Sequence, residues 1–571
     1  MPGPIAEPPI AEISDVLIIG AGPCGLAVAA RLREETPSAI FTDEEHQRYH
    51  WIKRHSGRMA LVQAHNRKMN GVKAEKYKGQ EERPQRQGGN CCKVGSKPAH
   101  KQRISSPSIL VLDSTGDRWI QKWERSFQTL QIPHLRSPMF FHVDPRDRDG
   151  LLAFSHEMGR EEELWEIAGC VGQEQSKHKR KKRQSRAQTV PKTKAYAMIE
   201  NRTHQKIAID ERDRKDYFSP STKLFADHCS CTASRYELDM PNQILQREVK
   251  DISYGSVGNE LGPEKAFTVQ TDRGYFQSRA VVLAIGPGNT KNMPWPISES
   301  ESTGACHSLD IRTFPSPNVK QKINLRRETN VVVIGGGLSS AHIVDMAVKA
   351  GVSKVWYFTR GDLKVKHFDI GLTWMGKFRN YEKATFWSAD SDEERLDMIK
   401  TARNGGSITP RMYKVLKQHV ARRQLSIHTH TQVASRSFDS VSKTWKLETS
   451  PPISDLPPID YIYFATGVSS NVAELPLLSS MNRDHPIETK QGFPCITEDL
   501  MWKQDIPLFI TGRLAALQLG PGAANLEGAR LGAERISWAL ETFLDKRKDE
   551  SGELSHYSFC GLGNRYASLE C

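Results

Sequence analysis

The stretch Asp15-Val16-Leu17-Ile18-Ile19-Gly20-Ala21-Gly22-Pro23-Cys24-Gly25 runs directly into Leu26-Ala27-Val28-Ala29-Ala30-Arg31-Leu32. A short β-branched apolar run reads as a buried strand, the glycines as a tight turn, and the alanine-rich run as a helix. Gly20, Gly22 and Gly25 have G-x-G-x-x-G spacing. In that pattern one glycine makes the turn, one lets the backbone approach a pyrophosphate, and one lets the helix pack close to the strand. The phosphates sit on the positive end of the helix. Gly20, Ala21, Gly22, Pro23, Cys24 and Gly25 are therefore candidate contacts to a dinucleotide, with Cys24 as a small packing residue. Pro37 ends the helix, and residues 39–42 read as the second strand. An acid is expected near its end to bind a ribose hydroxyl. Asp43 and Glu44 stand there.

A second unit of the same kind begins with Val331-Val332-Val333-Ile334 and turns through Gly335-Gly336-Gly337-Leu338-Ser339-Ser340. A helix to about residue 350 follows, with Gly351 as its stop. Gly335, Gly337, Leu338, Ser339 and Ser340 are the candidate contacts. Its next strand ends at Thr359-Arg360, where the first unit has acids. Arginine suits the 2′-phosphate of NADPH, so Arg360 joins the set and NADPH is favoured over NADH. Two such sites imply a resident cofactor and a visiting nicotinamide; FAD is the natural resident. The second unit is flanked by Ala284-Ile285-Gly286-Pro287 and Phe464-Ala465-Thr466-Gly467. Both read as crossover connections, which places the NADPH unit inside the sequence of the FAD unit.

The expected fold is therefore α/β, with two Rossmann-like dinucleotide-binding domains of three-layer β/β/α type. The NADPH domain is inserted into the FAD domain, and a helical substrate region is added from residues 107–170. The expected boundaries are a disordered start at 1–11, the leading segment of the FAD domain at 12–325, the NADPH domain at 326–455, the closing segment of the FAD domain at 456–545 and a polar tail at 546–571. Short alternating runs over residues 244–285 read as a β-meander feeding a buried strand, and residues 425–449 as another meander. A last helix is expected from about residue 523 to 544.

With 571 residues, 38% apolar and 26% charged, the chain has ample material for a large core, and one small domain is excluded. Its 80 Lys/Arg and 67 Asp/Glu leave +13. Residues 67–103 carry 11 Lys/Arg against 3 Asp/Glu, and residues 171–206 carry 11 against 2. Those two segments hold more than the whole net charge, so the remaining body is close to neutral. They read as flexible basic insertions (67–105 and 171–206), and the high basicity does not argue for nucleic acid as a partner. Residues 177–183 also fit a nuclear import signal, with a solvated loop as the plainer reading. No apolar run reaches 18 residues, and the start lacks the pattern of a signal peptide. No membrane association and a cytoplasmic location are the expectations, and a homo-oligomer is left open.

Asp460-x-x-x-Phe464-Ala465-Thr466-Gly467 resembles the D-x3-[LF]-A-T-G signature of the flavin-dependent N-hydroxylating monooxygenases, the ornithine and lysine N-hydroxylase group; Val468 departs from the tyrosine usual there. With Gly20–Gly25 and Gly335–Ser340, the order of motifs is similar to that group over residues 12–545. It also resembles the related oxidative-stress-induced growth inhibitor flavoproteins. The resemblance implies NADPH, FAD and O2 as reactants, a C4a-hydroperoxyflavin, and oxygen transfer to the nitrogen of a small-molecule amine. It implies that Trp51, Met59 and Gln63 lie over the flavin ring. It also implies that the turn before the last helix, with Ala523 and Asn525, faces the flavin pyrimidine edge, and that Thr466 and Gly467 contact cofactor. Oxygen transfer to sulfur or a carbonyl carbon is the first alternative; a flavin-binding regulator with little turnover is the second. The catalytic residue is not assigned.

Other constellations are weaker. Neither C-x2-C nor C-x4-C occurs, which argues against disulfide reductase chemistry, and the ten cysteines lack zinc-site spacing. Cys91-Cys92 and Cys229-x-Cys231, the latter in an expected loop, read as free thiols. His428-x-His430 reads as a strand pair facing solvent. His134, Arg136 and His142 read as packing residues, with a place in the substrate pocket as the alternative. No metal is expected.

Overall fold

A computed structural model of the protein describes residues 13–34, 107–170, 214, 216–259, 262–286, 290–376 and 379–550. The chain opens with β1 (Ser14–Ile19) and α1 (Pro23–Arg31). β2 (Ile109–Asp113) comes next, then helices Gln121–Thr129 and Gly150–Glu157. The short pair β3 (Leu164–Glu166) and β4 (Phe218–Pro220) is followed by helix Thr222–Arg235 and β5 (Ile244–Gln246). A meander follows: β6 (Val249–Asn259), β7 (Gly262–Thr271) and β8 (Gly274–Leu283). Then come β9 (Ala305–His307), β10 (Asn330–Ile334), α2 (Leu338–Lys349) and β11 (Lys354–Phe358). Helices Arg379–Trp387, Asp392–Arg403 and Pro410–Ala421 lead to β12 (Leu425–His428). The hairpin β13 (Gln432–Asp439) and β14 (Thr444–Ser450) precedes β15 (Tyr461–Phe464). β16 (Met501–Lys503), β17 (Ile506–Ile510) and α3 (Leu526–Glu550) complete it.

Most strands gather into two large sheets, a mixed one of eight strands with a parallel centre and a parallel one of five. The first has the order β16-β17-β8-β1-β2-β5, and the second β12-β11-β10-β15-β9. All pairings in the second are parallel. Each sheet has a glycine-loop strand at its centre, shielded on both faces: Val16, Leu17 and Ile18 in one, Val331, Val332 and Val333 in the other, all fully buried. A strand covered on both sides must be continuously apolar, which is why these runs do not alternate. β8 changes role along its length. Its first half pairs antiparallel with β7, and Ala280–Leu283 continue parallel to β1. The α/β class, the two Rossmann-like units and the meander over 249–283 follow the sequence expectation.

Four expectations change. Both neighbours of β1 are accounted for, by β2 on one side and β8 on the other. Residues 109–113, within a region expected to be mostly helical, form a strand beside β1, and residues 39–42 lie outside the described residues. The second sheet also begins earlier and ends later than 326–455, because β9 and β15 both hydrogen-bond into it. In the expected second meander, β12 is a parallel strand of that sheet, and only β13 and β14 form a hairpin. Cys229 and Cys231 lie on helix Thr222–Arg235 rather than a loop.

The insertion itself has a simple physical form. The chain leaves the first sheet after Leu283 and returns at Met501. The outgoing and returning connectors run side by side: the Asn292 amide donates to the Gly467 carbonyl (3.1 Å) and the Ser469 amide to the Thr290 carbonyl (3.0 Å). The Thr466 hydroxyl donates to the Asn292 carbonyl.

α1 and α3 pack on each other and share a buried ion pair. Arg31 Nε donates to Glu534 Oε1 at 2.8 Å, with the two side chains 7% and 3% exposed. Among the described residues no helix is long and apolar enough to cross a membrane. Removing one partner of a buried pair strands the other charge, which costs about 3–5 kcal/mol, whereas replacing both by apolar groups costs much less. Arg31→Leu should therefore lower stability by about 3–5 kcal/mol in urea denaturation, with Arg31→Leu/Glu534→Leu recovering most of it. Equal midpoints for wild type and Arg31→Leu would show that the pair carries no weight.

Candidate functional site

The first glycine loop lies where the carboxyl ends of β1, β2 and β8 converge. Gly20 has φ +112°, and a Cβ on it would stand 2.5 Å from the Ala284 carbonyl oxygen. Gly25 faces inward, and a Cβ there would stand 2.1 Å from the Gly20 oxygen and 3.3 Å from Ile18 Cγ2. Both glycines are thus demanded by the packing of helix on strand. Gly22 differs, because a Cβ there would meet nothing within 4 Å. It is the N-cap of α1, has no side-chain cap, and no acid lies in the first turn. The open side of the loop is therefore the positive end of a helix with uncapped amides, a cradle for an anion.

The second loop repeats this. Gly335 has φ +151°, and its Cβ would stand 2.2 Å from the Ala465 carbonyl oxygen. Gly336 and Gly337 meet nothing within 4 Å, and Gly337 is the N-cap of α2 with no side-chain cap. Leu338 is half-buried against the second core, and Ser339 is exposed in the first turn. Ser340 is fully buried; its hydroxyl contacts the Gly337 carbonyl (2.6 Å) and Tyr357 Oη (2.8 Å). It stands at the position that Gly25 has in the first unit, packed between the loop and β11. Arg360 is exposed just beyond β11, two residues past the pairing of Ile334 with Phe358.

Asp113 ends β2 and accepts from the Ala21 amide at 2.8 Å. Its other oxygen accepts from the Thr115 amide and hydroxyl. Asp113 is thus an acid held directly against the first glycine loop. Asp43, Glu44, Trp51, Met59 and Gln63 lie outside the described residues, as do both basic insertions and Cys91-Cys92. A signal for Asp113 existed: Ile109-Leu110-Val111-Leu112 is an apolar run ending in an acid. It escapes a spacing rule because it stands far beyond the usual distance of about 20 residues.

Ala21 is nearly fully buried, and its carbonyl accepts from the Ile120 amide. Pro23 is the first helical residue of α1, where its fixed φ suits the helix. Burial pushes the Cys24 thiol up to about 11, which agrees with packing rather than thiolate chemistry. Behind it, Gly512 follows β17, with its Cβ position 3.3 Å from Cys24 Sγ. Arg513 comes next, a half-buried cation that no sequence motif marks; burial pulls its pKa down, as does the Arg403 charge. Thr466 and Gly467 bond within the paired connectors, and the Gly467 carbonyl also contacts His307 Nε2 at 3.1 Å.

The turn before α3 is tied to the segment 368–403, whose apolar side chains Phe368, Ile370, Leu396 and Ile399 pack into the core of the first sheet. Asn525 Nδ2 donates to Asp369 Oδ1 (3.0 Å), and Arg403 donates to Asp369 Oδ2 (2.8 Å) and to the Pro521 carbonyl (2.9 Å). Ala523 is buried, and the helix starts at Leu526, later than expected. His428 and His430 do not form a strand pair: His430 lies past the end of β12 with φ +53° and contacts Asp362. His142 is fully buried, and burial drives its pKa well down. His134 stacks on Trp165, and burial lowers its pKa to about 4. Arg136 does more than pack, since its donors reach Lys366, His367, Phe368 and Ser407.

Several solved structures align along nearly the whole chain. An ornithine N-hydroxylase of Kutzneria sp. 744, captured with reduced FAD, NADP+ and L-ornithine, matches at a TM-score of 0.55 and 14% identity, covering 94% of this chain and 100% of that one. The ornithine hydroxylase of Pseudomonas aeruginosa matches at 0.54 and 14%, covering 93% and 100%. This chain has the fold of the N-hydroxylating flavin monooxygenases. A cadaverine monooxygenase of Erwinia amylovora bound to FAD aligns at 0.53 and 13%, covering 93% and 94%. No protein-family model and no curated protein matches the sequence.

The three glycines of the first loop should separate on substitution. Gly20→Ala and Gly25→Ala each force a carbonyl out of van der Waals contact and should lower the thermal midpoint sharply, by several degrees or more. Gly22→Ala, with open space around it, should melt within about a degree of wild type. Equal melting of all three would contradict the packing described.

Proposed function

We propose that the protein is an FAD- and NADPH-dependent monooxygenase that N-hydroxylates an amine of a small metabolite. What carries the reading is the pair of uncapped helix N-termini, one per large sheet, each behind a glycine that its packing demands. Their residues fit two different dinucleotides. Gly20 to Gly25 would hold the FAD diphosphate on the α1 amides, and Asp113 would accept from a ribose hydroxyl. Gly335, Gly337, Leu338 and Ser339 would hold the NADPH diphosphate on α2. Arg360, exposed beyond β11 where the first unit has Asp113, suits the extra 2′-phosphate. When bound, the flavin supplies hydride acceptance and dioxygen activation.

The likeness to N-hydroxylases supports an amine as substrate, and the low identity leaves the amine unnamed. The protein's role is to position both cofactors and to keep water from the reacting edge, since water access releases peroxide. The α3 turn is held through Asn525 to Asp369, which Arg403 also binds.

Purified full-length protein should take up FAD and be bleached anaerobically by NADPH faster than by NADH. Candidate amines should then speed NADPH consumption and yield hydroxylamine, with peroxide counted separately. Arg360→Ala should raise the KM for NADPH roughly 10-fold to 100-fold while leaving that for NADH unchanged, the loss of one charge-assisted phosphate contact. A protein that takes up no flavin would end the proposal, and peroxide as the sole product with every amine would end the N-hydroxylation component of it.

A further inference from the structure

Arg136 sits on a loop of the first domain that is held firmly from both sides. The Leu135 amide donates to the Pro220 carbonyl and the Met139 amide to the Phe218 carbonyl, at 3.1 and 2.9 Å. The Ser219 hydroxyl donates back to the Leu135 carbonyl. The loop is in effect laid along β4 and cannot follow its arginine.

From this mount the guanidinium reaches the segment 366–368 and Ser407, next to Ile408 of the second core. Nε donates to the His367 carbonyl (3.1 Å), and Nη1 to the Ser407 carbonyl (3.2 Å). Nη2 reaches the carbonyls of Lys366 (2.9 Å) and Phe368 (2.8 Å) and the Ser407 hydroxyl (2.9 Å). Each nitrogen of the fork is engaged, so Arg136 has little capacity left to hold a substrate carboxylate or a phosphate. Burial, in the company of Arg403, lowers its pKa to about 10, which still leaves it charged at neutral pH.

The two segments it grips are themselves paired. The Lys366 amide donates to the Ile408 carbonyl and the Ile408 amide to the Lys364 carbonyl, both at 2.9 Å. Between Arg403 and that pair runs Gly405-Gly406-Ser407, and Gly406 lies directly against the second glycine loop. A Cβ on Gly406 would stand 3.2 Å from the Gly336 carbonyl carbon and from Gly337 N and Cα. The contacts therefore form a continuous mechanical line: β4, the loop of Arg136, the Lys366–Ser407 pair, Gly406, and the second phosphate cradle.

We propose that Arg136 is a positioning residue for hydride transfer: it sets the second glycine loop relative to the first domain, and so the bound nicotinamide relative to the flavin. This rests on the two-cofactor reading above. A misplacement of about 1 Å between reacting groups lowers a rate on the order of 100-fold. A lysine offers one donor centre where the arginine fork spans four residues, so it keeps the charge and loses the geometry.

The test uses full-length protein loaded with FAD. Wild type and Arg136→Lys are reduced anaerobically by NADPH and, separately, by dithionite, with FAD content and thermal midpoint recorded. The expected result is a split: reduction by NADPH falls roughly 100-fold, while dithionite reduction and FAD content hold. A merely structural role would lower the midpoint and FAD content and would spare the NADPH rate of the protein that stays folded. NADPH reduction at the wild-type rate in Arg136→Lys overturns the proposal.

If Arg136→Lys does not fold, Gly406→Ala makes the same test from the other end of the line, since its new methyl presses on Gly336 and Gly337. The same split is expected, and a normal NADPH rate refutes the proposal. Failure of the two-cofactor reading looks different, because wild type itself then takes up no FAD or is not reduced by NADPH. The assignment of Arg136 to hydride transfer falls with it, whereas faster hydrogen exchange confined to residues 364–368 and 404–408 in Arg136→Lys would still report the tie between the domains.

Discussion

A carbonyl oxygen pressed against a glycine, once in each sheet, is the contact on which the architecture turns. In the first sheet it is Ala284 against Gly20, and in the second Ala465 against Gly335. Each alanine directly follows the strand beside the glycine-loop strand, β8 or β15. The backbone must turn back at once for the helix to lie on the sheet, and a side chain on that glycine would prise strand from turn. The positive φ at both positions is the local signature of the same demand. Only with the turn this tight does the uncapped end of α1 or α2 open at the carboxyl edge of its sheet. In open α/β sheets, that edge is where ligands bind.

The repetition matters more than either copy. The second sheet is a near replica that interrupts the first between β8 and β16, and its entrance and exit run as neighbouring strands through Thr290–Asn292 and Thr466–Ser469. A paired connector alone would leave two domains free to swing. The fork of Arg136 over the 366–368 and 407 backbone is a further tie. A third contact is the stack of Arg411 on Trp165, which in turn stacks on His134. On the proposed two-cofactor reading, such a frame would hold the flavin and the nicotinamide edge to edge.

Much of this could be read from residue order. Strand, glycine turn and helix were legible twice, because burial on both faces forces a continuous apolar run and the turn admits only glycine. The nesting of one unit within the other was legible from the small residues at 284–287 and 464–467. Legibility thinned where contacts depend on distant segments. Asp113 escaped notice because spacing rules assume a short link between the first helix and the second strand, and here residues 35–106 intervene. The membership of β9 and β15 in the second sheet was not legible, since three-residue β9 has no sequence signature and the pairing of β15 with β10 joins segments 130 residues apart.

Local patterns of burial and backbone conformation are short-range properties, so the order of residues sufficed for the two glycine turns and the α/β class. The roles of individual side chains were another matter. Arg136 looked like a packing residue, Ser340 like a ligand contact, and Thr466 like a member of a cofactor site. Each is decided by partners far along the chain: Lys366 to Ser407 for Arg136, Tyr357 for Ser340 and Asn292 for Thr466. A hydrogen bond depends on distance and direction in space. Folding alone brings those groups within 3 Å of one another, and nothing in their spacing along the polymer encodes it.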